Sequence, residues 1–244
     1  MSLLSRLSVK VRSSLVKVRS SLDKLLRLDS LSRSSHDAVA MQVLAPLIGT
    51  YQPWTSFALR PSGLVKILNE IVMNHRRCIV ECGGGISTVY IAKLLQQQGH
   101  GHLYTLEDNL GFIELLRALL QEQQLGDYVT VIPAPLAVCN LALENNLWYD
   151  LTAFRSQFTE STIDLLLVDG PPAYDRPRRL SRYPALPALR DLLAPDFAVV
   201  LDDINRSGEA EIIVKWAAEF DLTFEKYFYD GDIAIARTQG GFHI

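Results

Sequence analysis

The stretch VECGGGIST, residues 80–88, decides how this chain is read. Apolar Cys78, Ile79 and Val80 run into an acid, Glu81, and then into Gly83, Gly84 and Gly85. Glycines at the end of a strand let the backbone turn sharply and let a ligand approach the main chain. Dinucleotide-binding proteins use such a turn too, so the turn alone does not identify the ligand. Two details set this one apart. The third glycine of a G-x-G-x-x-G run would fall at residue 88, which is Thr88. Glu81 stands beside the loop, where its charge repels a pyrophosphate and suits a ligand with a cationic group.

Outward from this turn, strands and helices alternate. Residues 77–81 read as a strand and 88–97 as a helix; 102–106 is a second strand. Asn109 caps a helix with the apolar stripe Phe112, Leu115, Leu116 and Leu119. Residues 128–132 and 163–168 are strands, the latter without polar alternation, as expected when both faces are covered. A helix over 184–193, a strand over 197–201 and a helix over 209–220 follow. Strands at 222–229 and 232–237 close the chain around Asp230-Gly231, a hairpin-type turn. Upstream, a helix starts near Ser62 on the spacing of Leu64, Ile67, Leu68, Ile71 and Val72. This order predicts a doubly wound, Rossmann-like α/β sheet, mostly parallel, with a C-terminal antiparallel hairpin. Ligands of such sheets bind beyond the carboxyl ends of the strands.

The residues at those ends are mostly acids. Glu107 follows the second strand, 26 positions after Glu81, where an acid commonly takes a ribose diol. Asp169-Gly170-Pro171-Pro172 follows the fourth strand, and Asp202-Asp203-Ile204-Asn205-Arg206 the fifth. Carboxylates converging there can hold a hard divalent cation, act as a general base, hydrogen-bond a hydroxyl substrate, or cap the next helix. Arg176, Arg178, Arg179 and Arg182 form either a basic lid over an anionic acceptor or a solvated loop. Trp148-Tyr149-Asp150 either lines an acceptor pocket or packs as an aromatic loop. The five histidines show no ligand spacing.

Taken together, VECGGGIST, the acid of LYTLEDN, VTVIPAPL, DLLLVDGPP, RYPAL, VVLDDINR and the closing hairpin resemble the class I S-adenosylmethionine-dependent methyltransferases. The resemblance covers about residue 54 to residue 238 and implies seven strands, with an antiparallel strand inserted at the end. It implies methyl transfer from S-adenosylmethionine to a hydroxyl oxygen of a small molecule. It assigns Glu81, Gly83, Gly84, Gly85 and Ser87 to the methionine moiety, Glu107 to the ribose, and the surroundings of Asp127 and Ala134 to adenine. Asp169 would face the sulfonium, and Asp169 or Asp203 would act as base. In the catechol-type subset, metal ligands such as those of Mg²⁺ occur at positions similar to Asp169, Asp202 and Asp203. That subset also carries a lysine three residues after the first acid; here the position is Pro172, a departure from the pattern. The same fold also serves nucleotide-cofactor oxidoreductases and domains that bind without catalysis. Binding of S-adenosylhomocysteine without NADH separates the first of these, and turnover the second.

Bulk properties complete the reading. The chain has 244 residues, 48% of them apolar and 21% charged, which describes a globular protein with one sizeable core. A net charge of −3 gives no reason to expect nucleic acid. Three cysteines without a CxxC pair fit reduced thiols and a cytoplasmic setting. Residues 1–35 carry a net +6, leaving −9 in the remainder. They contain VKVRSSL twice, at 9–15 and 16–22, and place Leu4, Leu7, Val11, Leu15, Val18, Leu22 and Leu25 on one helical stripe. The expected division is therefore a basic amphipathic appendage (1–35), a connector (36–61) and the catalytic domain (62–244). The appendage suits packing on its own domain, a homodimer, peripheral contact with an acidic membrane through residues 1–28, or a cleaved targeting peptide.

Overall fold

In the computed structural model, which describes residues 29–47 and 51–241, the alternating pattern forms a seven-stranded sheet. Its strands are β1 (Cys78–Cys82), β2 (His102–Glu107), β3 (Val129–Pro133), β6 (Ile163–Val168), β7 (Leu193–Leu201), β8 (Phe224–Tyr227) and β9 (Ile233–Arg237). The order is β3-β2-β1-β6-β7-β9-β8. The first five are parallel, and β9 runs antiparallel between β7 and β8. A separate antiparallel pair, β4 (Leu136–Val138) and β5 (Leu147–Tyr149), was not anticipated: each is only three residues long, too short to show a period.

The helices are α1 (residues 29–44 of the described chain), α2 (Pro61–Met73), α3 (Ile86–Gln98), α4 (Leu110–Glu122), α5 (Thr152–Gln157), α6 (Ala185–Leu189) and α7 (Ser207–Phe220). Strand side chains alternate between the two faces. Leu165, Leu167, Ala198 and Val200 join α2, α3 and α4 in one core. Leu166, Val168, Val199 and Leu201 join α5, α6 and α7 in the other. Each fully buried Leu, Ile or Val contributes roughly 1.5–3 kcal/mol of transfer free energy, which fixes the register of every strand. Expected and observed elements differ mainly at their ends. The helix expected over 184–193 is shorter, because Arg190–Leu192 tightens to a 3-10 turn and Leu193 already starts β7.

Residues 29–44 form a helix where sequence gave the end of an appendage and a connector. The expected division at residue 35 falls inside it. Arg33 reaches Asp232 at 2.5 Å, and Arg60 bridges Asp37 and Asp232 at 3.0 and 3.3 Å. Ser62 Oγ donates to Asp37 at 2.6 Å. These contacts tie α1 to the start of α2 and to the β8–β9 turn. The repeat at 9–22 lies outside the described residues. Among the described residues, no helix is long and apolar enough to cross a membrane.

Candidate active site

The β1–β6 neighbours are where the strand order reverses, and the cleft opens there, as the topology requires. It holds about 590 Å³ and is lined on one side by Gly83, Gly84, Gly85, Glu107, Asn109 and Phe112. On the other side lie Asp169, Pro172, Arg182, Asp202, Asp203 and Arg206. Residues 52, 53 and 55–58, with Phe57 exposed, and Tyr174 border its mouth.

The glycine turn is held by close backbone approach. Gly83 has φ +90°, and a Cβ there would lie 2.8 Å from the Gly170 nitrogen. Gly170 in turn donates to the Cys82 carbonyl at 2.6 Å. The turns after β1 and β6 thus touch through main chain, and a side chain at either would push them apart.

Glu81 does not line the cleft. Strand alternation directs it, with Ile79, to the face covered by α3, and it has no solvent exposure. There it accepts hydrogen bonds from Ser87 Oγ and Thr88 Oγ1 at 2.5 Å and from Thr105 Oγ1 at 2.8 Å. Thr88 Oγ1 also accepts from the Gly85 N–H at 3.0 Å. Burial pushes the Glu81 carboxyl up to about 7, against the pull of its three hydroxyl donors. The residue that breaks the dinucleotide spacing, Thr88, is therefore the link between acid and loop. Ser87 is likewise turned toward Glu81 and away from the cleft wall.

Glu107 is on the wall. It accepts the Gly84 N–H at 3.0 Å on one oxygen and the Asn109 N–H at 2.9 Å on the other. Each oxygen keeps a second acceptor site for a ligand hydroxyl. Burial raises its pKa, while the two N–H donors oppose the rise. Asp127 lies apart, in a shallow depression with Arg117 and Gln121, and Ala134 is in the core. Neither lines the cleft.

Asp169, Asp202 and Asp203 converge as the sequence suggested: one oxygen of each lies within 4.8 Å of the others. The centre of this group is a residue expected either in a basic lid over the acceptor or in a solvated loop. Arg182 is buried, with its guanidinium 3.3 Å from Asp169 Oδ1, 3.0 Å from Asp203 Oδ2 and 3.7 Å from Glu209 Oε1. It also donates to the carbonyls of Pro171 and Asp202, both at 3.3 Å. Arg206 meets Asp203 Oδ2 at 2.7 Å. Gly208 lets α7 start against this network: a Cβ there would lie 1.9 Å from the Arg179 carbonyl oxygen. Two of the other three arginines of residues 176–182 also turn to protein carboxylates, Arg178 to Asp175, and Arg179 to Glu144 and Glu211.

Burial is the leading cause of the raised pKa of Asp169 and of Asp202, and Asp202 rises well above the usual range. Repulsion from the nearby Asp169 carboxylate adds to the rise at Asp202. Glu209, fully buried, is pushed up to about 7 by burial, with Arg182 pulling the other way. No histidine, lysine or cysteine lines the cleft among the described residues, so its acid–base groups are carboxyls and the hydroxyls of Tyr149 and Tyr174. Tyr149 is buried in the cleft wall, while Trp148 belongs to the core and Asp150 faces solvent.

Comparison with known proteins agrees with this geometry. The family model of a methyltransferase domain matches residues 80–204, from the glycine turn to the acid cluster. No curated protein sequence matches the chain significantly. Among solved structures, a Staphylococcus aureus protein assigned as a caffeoyl-CoA O-methyltransferase is 16% identical, with TM-score 0.55 over 89% of this chain and 98% of that one. The O-methyltransferase TomG of Streptomyces achromogenes, involved in tomaymycin synthesis and solved with S-adenosylmethionine, is 18% identical. Its TM-score is 0.52 over 86% and 90%. A Bacillus cereus O-methyltransferase solved with S-adenosylhomocysteine is 18% identical, TM-score 0.50, over 83% and 90%. At such identities the likeness is one of fold.

Proposed function

This chain belongs to the methyltransferase-domain family, and from that premise we propose that it transfers the methyl group of S-adenosylmethionine to a hydroxyl oxygen of a small molecule. The observation that carries the reading is the two-sided cleft. Bare backbone and Glu107 form one wall, and a carboxylate cluster without nitrogen bases forms the other. Glu107 suits the ribose hydroxyls, and the Gly83–Gly85 backbone suits the amino-acid end. Glu81 serves by holding α3 and the glycine loop in place.

In the transfer, the acceptor oxygen attacks the methyl carbon, the carbon–sulfur bond breaks, and S-adenosylhomocysteine leaves with both bonding electrons. The acceptor proton goes to Asp169 or Asp203 and then to water. Holding the two reactants in line supplies much of the rate, since the methyl group needs no further activation. Asp169, Asp202 and Asp203 are hard oxygen donors, and an ion held there in spite of the Arg182 guanidinium would polarise the acceptor hydroxyl. Phe57 and Tyr174 at the mouth offer apolar surface to the acceptor. The unpaired cysteines support a reducing, cytoplasmic setting, and the basic repeat supports a homodimer or an anionic membrane surface as contact.

The test is transfer of labelled methyl from S-adenosylmethionine to a panel of hydroxyl acceptors, with Asp169→Asn beside the native protein. Turnover should fall at least about a hundredfold in the variant, the scale of a lost general base. S-adenosylhomocysteine should bind both proteins within a few-fold. Equal turnover in the two would remove Asp169 from the chemistry.

A further inference from the structure

The acid cluster already contains a cation. Arg182 comes from RYPAL, between Leu180 and Ala185, the first residue of α6, and both of those are buried in the core. Its side chain is only 4% exposed. The guanidinium is planar and permanently charged, so it cannot yield its place by losing a proton. One nitrogen faces Asp169 at 3.3 Å, and another faces Asp203 at 3.0 Å. Those are two of the three carboxylates whose oxygens converge within 4.8 Å. Main-chain bonds to Pro171 and Asp202 fix the guanidinium in that position. Arg206 adds a second charge on Asp203, but its side chain is 37% exposed and screened by solvent.

We infer that Arg182 is the resident cation of this cluster, a positioning residue that neutralises Asp169 and Asp203 and competes with any divalent ion for them. Two consequences follow from the charges. The carboxylates stay ordered at the cleft floor with no ion bound, because each has a guanidinium partner. A divalent ion that comes to them meets a fixed positive charge in a buried setting, where repulsion is weakly screened. The cluster therefore takes divalent ions weakly, and removing Arg182 should turn it into a stronger cation site. The catalytic meaning of this rests on the methyl-transfer reading above; the cation competition itself does not.

The experiment is titration with Mn²⁺, followed by the resonance of the free ion, in mildly alkaline buffer, which favours ionised carboxylates. Native protein, Arg182→Met and Arg182→Lys are compared, each also titrated with S-adenosylhomocysteine. Arg182→Met should bind Mn²⁺ about tenfold or more tightly than native protein, one decade of affinity, and Arg182→Lys should stay near native. If Arg182→Met fails to fold, the double variant Arg182→Met with Glu209→Gln removes the buried carboxylate that would keep only the partly exposed Arg206 as partner, and the same gain is expected. Mn²⁺ affinity unchanged or reduced on loss of the arginine would overturn the inference, because an arginine that only ties loops together would not improve ion binding. Failure of the native protein to bind S-adenosylhomocysteine would count against the methyl-transfer reading and leave the Mn²⁺ comparison intact.

Discussion

At the scale of single residues, the site is built from carboxyls whose ionisation is opposed by burial. Glu81 shows the consequence most clearly. Its folded value near 7 lies above its ordinary 4.5, so the folded state holds the proton more tightly than the unfolded chain does. Its favourable contribution is complete below about 4.5 and is lost as pH rises through 7. At 1.36 kcal/mol per unit this amounts to about 3 kcal/mol at most. Denaturant unfolding should thus show stability falling between mildly acidic and neutral pH, and Glu81→Gln should flatten that fall. An equal slope in both proteins would show that Glu81 does not carry it. Residue identity alone did not reveal this role. The acid before the glycines was legible, but its direction depends on strand alternation counted from Ile79, which places it under α3. Arg182 was misread for a related reason: among four arginines in seven residues, only tertiary packing separates the buried one. Its apolar neighbours Leu180 and Ala185 were the available signal.

At the scale of elements, the turns are set by what they approach. Gly83 is bare because Gly170 is beside it, so a side chain at 83 meets the turn after β6 before it meets any ligand. Gly83→Ala adds a positive-φ penalty of about 1–2 kcal/mol to a 2.8 Å collision with backbone. It should lower thermal stability as well as cofactor affinity. A variant of native stability with affinity lost would instead place position 83 against the ligand. Gly208→Ala is the sharper case, because the Arg179 carbonyl lies 1.9 Å from the added carbon. Overpacking of this kind costs roughly 1–3 kcal/mol and should disturb the Arg206 end of the acid network. Calorimetric melting would measure it, and an unchanged midpoint would mean that α7 shifts freely. Most elements were readable from periodicity, since long apolar strands and caps such as Asn109 have strong local signals. The β4–β5 pair and the early start of β7 were not, because packing against neighbours, not local pattern, decides them.

At the scale of the whole molecule, α1 belongs with the catalytic domain. Arg33, Asp37, Arg60 and Asp232 form one linked set of ion pairs, and Leu44 is buried in the core beside α2. Chains starting at residue 29 and at residue 45 separate the contribution of α1 from everything before it. The chain starting at residue 45 should be the less stable of the two, as Leu44 and the ion-pair anchor go together. Thermal melting of the two would decide it, and equal losses would contradict the role given to α1. The doubly wound topology was legible from strand–helix alternation alone. The meeting of the strand-end acids Asp169, Asp202 and Asp203 was legible with it; that Arg182 joins them was not, since its burial depends on how the segment after β6 packs. The central claim is that Glu107 and the glycine turn hold an adenosyl cofactor, and its most direct test is calorimetric titration of S-adenosylhomocysteine. Native protein should bind it at a single site and ignore NADH. Glu107→Ala should bind one to two decades more weakly, about 1.5–3 kcal/mol for lost charged hydrogen bonds. Absence of S-adenosylhomocysteine binding to native protein, or unchanged affinity in Glu107→Ala, would contradict the assignment.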